Sequence, residues 1–219
     1  MQAKECYQAA FMKLLAKVKP GKLMKDIVKD IPSKILPNFG QPLLLSDFLL
    51  DRLDDRSDIE VQILALKALF ILLSKHGLDS PEYYTKLYNL LTVQTIASAG
   101  EDCKEVKSVF EMDIETKSRF FRVLDLSLRS ATLPSKIIAA FMKRIGFLMV
   151  SGAIWQTNDL LFGLSLIANL AKRHPRTLKL LTRNRLSHKL GIKLERDPYL
   201  HTEKNPLKSK AMQSSLWEV

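Results

Sequence analysis

The sequence predicts an all-α fold, a series of antiparallel helices stacked as an α-solenoid with an extended polar C-terminal tail. Three observations carry this. Apolar residues recur at three- and four-residue spacing over most of the chain. Several of these periodic segments are apolar on more than one side, so each needs neighbours on more than one face. Only eight glycines occur in 219 residues, and alternating strand patterns are hard to find. No strict repeat period is visible, which favours a HEAT-like array of antiparallel helix pairs over a consensus repeat. An ordinary globular helical bundle is the alternative.

Residues 4–18 form an amphipathic pattern through Tyr7, Phe11, Leu14, Leu15 and Val18, ended by Pro20-Gly21. A short helix is expected over 22–29. Pro32, Pro37 and Pro42 then make 30–42 a linker, so 1–42 reads as a helix plus a Pro-containing linker. The helical domain is expected over 43–184. Ser46-Asp47 is placed to cap "FLLDRLDD", and Ser57 with Glu60 has the S-x-x-E capping-box spacing. The helix that follows carries Ile59, Ile63, Leu66, Phe70 and Leu73 on one side, Val61, Leu64, Ala68 and Leu72 on another, and stops at Gly77. Ser80-Pro81 restarts a helix through Tyr83, Leu87 and Leu90.

Residues 93–113 are polar and irregular and read as an insertion. The period resumes from Ile114 through Phe121, Leu124 and Leu128. Leu133-Pro134 opens a helix with Ile137, Ile138, Phe141, Met142, Ile145, Leu148 and Met149 on its inner face. Thr157 or Asn158 caps the next, whose "LLFGLSLIANLA" is expected to be buried on all sides, with Gly163 and Ser165 permitting close approach. Pro175 precedes a short last helix near 176–183. Residues 185–219 form an extended basic tail.

Hydrophobic residues make up 47% of the chain, charged residues 26%, and the net charge is +11. This is a globular composition suited to an anionic partner. Cys6 and Cys103 supply no disulfide framework or metal spacing, which fits a reducing compartment. Lysines interrupt each apolar run near the N-terminus, so no secretory leader is expected. The longest uncharged apolar run, Leu160 to Ala171, is about twelve residues against the roughly 20 that a membrane-spanning helix needs.

No catalytic, phosphate-binding or metal motif is found, and no cofactor or metal ligand set is expected. The four histidines, His76, His174, His188 and His201, are dispersed. Cys103 reads as a loop thiol. Asp125 sits beside an apolar face and is expected to pair with Arg122, Arg129 or Arg144, or to cap a helix, rather than act as a catalytic acid. Charge is the strongest chemical signal. No carboxylate lies between Asp159 and Glu195, while Lys172, Arg173, Arg176, Lys179, Arg183, Arg185, Lys189 and Lys193 do. Such a run is either a solvated face or a phosphate-contacting one. Without interleaved aromatics it would grip backbone rather than stack on bases.

The segments "ILALKALFILLSKHGLDSPEYYTKLYNLL" (63–91), "SRFFRVLDLSLRSATLPSKIIAAFMKRI" (118–145), "LIANLAKRHP" (166–175) and "DPYLHTEKNPLKSKAMQSSLWEV" (197–219) occur in order. Together they resemble the CCAAT-binding factor family of nucleolar complex proteins, over roughly 43–219. The resemblance implies a HEAT-like, non-enzymatic factor of the nucleus and nucleolus. It would act in small-subunit pre-ribosome maturation and rRNA processing, paired with nucleolar protein 14. The pre-ribosomal particle and rRNA phosphates are the other partners expected, the latter through Lys172, Arg173, Arg176, Lys179, Arg183, Arg185 and Lys189. A nucleic-acid-binding transcription regulator is the alternative, though no groove-reading module is found. The resemblance also implies helices before and after this stretch, so the chain is expected to be a partial or shortened form.

The end of the tail raises a separate expectation. Asp197-Pro198 and Asn205-Pro206 favour turns, and Leu216-Trp217 supplies apolar area to a polar segment. Leu216 and Trp217 are therefore expected to anchor the tail on the helical body, with the indole buried.

Overall fold

The structure is a computed structural model, and it describes residues 2–19, 21–55, 58–92, 95, 114–151, 157–182 and 197–219. Among these residues the regular elements are helical and no strand occurs. The chain divides into two compact units, Met1–Tyr83 with Ser118–Val123, and Tyr84–Lys117 with Leu124–Val219.

In the first unit, α1 (Gln2–Leu15), α2 (Lys22–Asp30), α3 (Ser46–Asp54) and α4 (Ile59–His76) are the α-helices. Helix α4 is central, because Ile63, Ala65, Leu66, Ala68, Leu69 and Leu72 are all buried, while Lys67 and Ser74 mark its exposed strip. Its N-cap is Asp58, whose carboxylate accepts the Glu60 and Val61 N–H groups. That replaces the expected Ser57 cap; Ser57 itself lies outside the described residues. At its other end Gly77 takes φ 67°, and the Leu78 N–H reaches back to the Leu72 carbonyl, a left-handed stop that glycine allows without a Cβ penalty. Helix α3 begins at Ser46, but no side chain caps it: the Ser46 hydroxyl bonds the Leu43 carbonyl instead.

The stretch 30–42 is not a linker. It winds through a π turn (Ile31–Ile35) and two 3₁₀ turns (Leu36–Asn38 and Pro42–Leu45). Each proline stands at the start of its turn, where a missing N–H leaves nothing unpaired. Ile31, Ile35, Leu36 and Phe39 are buried, and Phe39 meets Tyr7 and Phe11 edge-on. Prolines were read as breaks, whereas here they start tight turns that carry apolar side chains into the core.

In the second unit lie α5 (Tyr83–Leu90) from Tyr84 onward, most of α6 (Ile114–Leu128), α7 (Ser135–Val150) and α8 (Thr157–Arg173). A 3₁₀ turn (Pro175–Leu178) continues as helix to 182, close to the expected last helix. Helix α7 is the interior element: Ile138, Ala139, Ala140, Phe141 and Met142 are fully buried. Helix α8 packs on it at Gly163, where an added Cβ would lie 2.7 Å from Met149 Sδ. Lys117 and Asp159 form a buried ion pair at 2.9 Å. Asp125 pairs with Arg129, as expected, and also with Arg173. Helix α8 is not buried on all sides, since Leu161 and Leu164 are 61% and 43% exposed. The 93–113 insertion, Thr95 apart, lies outside the described residues.

Candidate functional site

The residue that organises the second unit's C-terminal part is Lys143, a lysine with no exposed surface on helix α7. An ammonium carries three donors and must use them all when buried. Lys143 Nζ lies 2.7 Å from Asp197 Oδ2, 2.6 Å from Glu218 Oε1 and 2.6 Å from the Ser215 carbonyl oxygen. The rings of Trp217 and Tyr199 stand 5.3 and 5.7 Å from it, within cation–π range. All of these partners belong to the tail. With all three donors engaged, Lys143 fastens the tail to α7.

Asp197 is the tail's counterpart to Lys143. Its Oδ1 accepts the Tyr199 N–H and the Ser214 hydroxyl, forming the turn that Asp197-Pro198 predicts. Its Oδ2 also accepts the Trp217 indole N–H at 2.9 Å. Burial opposes ionisation, but bonds from Lys143, Ser214, Tyr199 and Trp217 outweigh it and hold the carboxyl at about 2. Glu218 differs. Burial pushes its carboxyl above the usual value despite the Lys143 bond, and its Oε2 is buried without a partner. Gly146 makes room for it: a Cβ there would stand 3.3 Å from Glu218 Cβ.

One residue along α7, the Arg144 guanidinium donates to the His201 and Glu203 carbonyls at 2.7 and 3.0 Å and lies 4.2 Å from the centre of the Tyr88 ring. The His201 ring stacks on Phe147, and the Tyr88 and Tyr199 hydroxyls are 2.8 Å apart. Asn205 accepts the Leu207 N–H in the second expected turn, and the Leu200 N–H bonds the Ser209 carbonyl to close the loop.

Of the two expected anchors, Leu216 is buried at 4% exposure and its N–H donates to the Leu180 carbonyl. Trp217 is 54% exposed. Its indole is therefore not the buried plug expected from hydrophobicity. It covers Lys143 with one face and bonds Asp197 through its N–H, leaving the rest in solvent. Lys143 has no place in the sequence-based expectations and Arg144 enters them only as a candidate partner of Asp125, although the pair is the only charged interruption of "IIAAFMKRIGFLMV". A cation inside such a run, with Asp197 and Glu218 waiting in a polar tail, was the available signal.

The basic segment is less unified than its composition suggests. Lys172, Arg176 and Lys179 are exposed, whereas Arg173 is half-buried and paired with Asp125. Arg183, Arg185 and Lys189 lie outside the described residues, as does Lys193. Among the described residues no group of three or more His, Cys, Asp or Glu side chains could hold a metal. No helix there is long and apolar enough to cross a membrane.

The CBF/Mak21 family matches residues 62–219, which takes in all but the first three residues of α4, then α5 to α8 and the whole tail. The chain belongs to the CBF/Mak21 family. The resemblance read from its sequence blocks is thus borne out. Nucleolar complex protein 4 homolog of Mus musculus is 36% identical over 216 residues, covering 99% of this chain. The Homo sapiens homolog is 36% identical over 213 residues, covering 97% of it. The Danio rerio homolog is 32% identical over 216 residues, covering 99% of it. This CBF/Mak21 chain spans 37%, 36% and 36% of the length of those relatives, respectively.

Proposed function

We propose that the chain is the helical scaffold region of a nucleolar ribosome-biogenesis factor. It would be non-enzymatic and act in maturation of the small-subunit pre-ribosome and its rRNA. The observation that carries this reading is the family match over 62–219, joined to relatives named as nucleolar complex protein 4 homologs. The same relatives support a nuclear, nucleolar location. The helices, apolar on several sides, support a HEAT-like array that works through protein contacts, with nucleolar protein 14 as the expected partner. The cation-rich 172–193 segment is proposed to touch rRNA phosphates as a secondary contact, with Lys172, Arg176 and Lys179 the exposed cations among its described residues.

The test is depletion of the protein in cells, followed by pulse labelling of precursor and mature rRNA. This reading expects small-subunit rRNA to fall while large-subunit rRNA is maintained. Equal loss of both, or loss of neither, would contradict it.

A further inference from the structure

Helix α8 has apolar residues around its circumference, yet among the described residues one side of it is exposed. Gly163, Leu166, Ile167 and Leu170 face the core. Leu161, Leu164, Ser165, Ala168 and Lys172 are exposed, and at 3.6 residues per turn they share one face. The turns that follow and pack beside α8 leave Leu178 and Leu181 exposed as well, next to exposed Arg176 and Lys179. Leu161 and Leu164, one helical turn apart, are adjacent on this face, and contiguous exposed apolar surface rimmed by polar residues is the form an interaction site takes.

Charge narrows the occupant. No carboxylate occurs from 160 to 194, and Asp159 at the start of α8 is buried against Lys117. The segment therefore offers leucines and cations with no carboxylate of its own, and the neighbouring Asp125 is already held by Arg129 and Arg173. RNA would satisfy the cations but brings no aliphatic surface for Leu161 and Leu164. A second copy of this chain would set cation against cation, at net charge +11 each. An amphipathic helix with leucine-like residues on one side and carboxylates beside them satisfies both features.

We propose that the outer face of α8 docks an acidic amphipathic helix of a partner protein, its apolar stripe on Leu161 and Leu164 and its carboxylates on Lys172, Arg176 and Lys179. This rests on the reading of the chain as a protein-binding scaffold.

The test places the photo-crosslinker p-benzoylphenylalanine at Leu161 or Leu164 of the full-length protein in cells and identifies the attached peptide by mass spectrometry. That peptide, synthesised with a fluorophore, is then titrated with the purified protein, with Leu161→Asp/Leu164→Asp, and with Lys172→Glu/Arg176→Glu/Lys179→Glu, each checked for folding by circular dichroism. The proposal expects a crosslinked segment from another protein that is rich in Asp and Glu, with apolar residues at helical spacing. It expects both variants to weaken binding at least tenfold, and Lys-for-carboxylate changes in the peptide to restore binding to the charge-reversed protein. Crosslinks to RNA, to a second copy, to this chain itself or to a non-acidic segment would overturn it, as would no crosslink or unchanged affinity. If the face fails while small-subunit rRNA still depends on the protein, only the docking proposal falls.

Discussion

Lys143 Nζ lies 2.6 Å from Glu218 Oε1, and neither side chain reaches solvent. A helix apolar along most of its length thus holds a cation that, among the described residues, Asp197 and Glu218 of the tail neutralise. The tail is as necessary to α7 as α7 is to the tail. Lys143→Met would leave Glu218 buried without its partner, and breaking such a pair from one side costs about 3–5 kcal/mol. Urea unfolding should show that loss, and adding Glu218→Gln should recover part of it. A loss under about 1 kcal/mol would mean that the pair contributes as little as a surface bridge does.

Acid should separate the two carboxylates. Asp197 falls from its usual 3.8 to about 2 on folding, so its contribution is present above about 4 and lost as pH falls toward 2. Glu218 is raised on folding, so it binds its proton more readily in the folded state and favours folding as pH drops toward its usual value. Stability measured from pH 7 downward should therefore hold or rise before it collapses. Asp197→Asn should remove the loss between about 4 and 2, and Glu218→Gln should remove the earlier gain.

Trp217 contributes through its edge and one face rather than through burial. Trp217→Phe keeps a ring over Lys143 but deletes the N–H bond to Asp197, a loss of about 1 kcal/mol at a half-exposed position. Trp217→Ala should cost about 2 kcal/mol by removing both. With Trp155 replaced by Phe, emission from Trp217 should be partly accessible to iodide. Full protection would mean that the ring is buried, and emission like that of free tryptophan would mean that the tail is undocked.

Gly163 and Gly146 test the two close approaches to α7. A Cβ at Gly163 meets Met149, and one at Gly146 meets Glu218. Overpacking of this kind costs about 1–3 kcal/mol. Gly163→Val should fall at the upper end, since the branched side chain also crowds Ile145. Gly146→Ala should cost less in a protein truncated after Ser215 than in the full chain, because Glu218 is then gone. Thermal melts of both glycine variants, of the truncated protein with and without Gly146→Ala, and of the unaltered chain give the comparison.

Much of the helical framework was legible because it rests on local rules. The period of α4, α7 and α8, the Gly77 stop and the Asp197-Pro198 and Asn205-Pro206 turns all follow from residue spacing and backbone preference. What was not legible depends on distant partners. Pro32, Pro37 and Pro42 read as breaks because their role in starting buried turns depends on Phe11 and Tyr7, far earlier in the chain. Lys143 was invisible because its carboxylates lie 54 and 75 residues away, at Asp197 and Glu218. Arg173 reads as one more free cation in the sequence because its partner, Asp125, lies 48 residues away. The exposed side of α8 was misread for a related reason: composition records what could be buried, and only packing decides which face has a neighbour.

The proposed small-subunit assembly factor, working through a protein partner, should reveal itself in what travels with the protein. The measurement is affinity purification of the tagged full-length protein, with quantitation of bound proteins and RNAs. Nucleolar protein 14 should be recovered near one-to-one, with small-subunit precursor rRNA enriched. Recovery of promoter DNA and transcription factors, with neither that protein nor precursor rRNA above background, would contradict it.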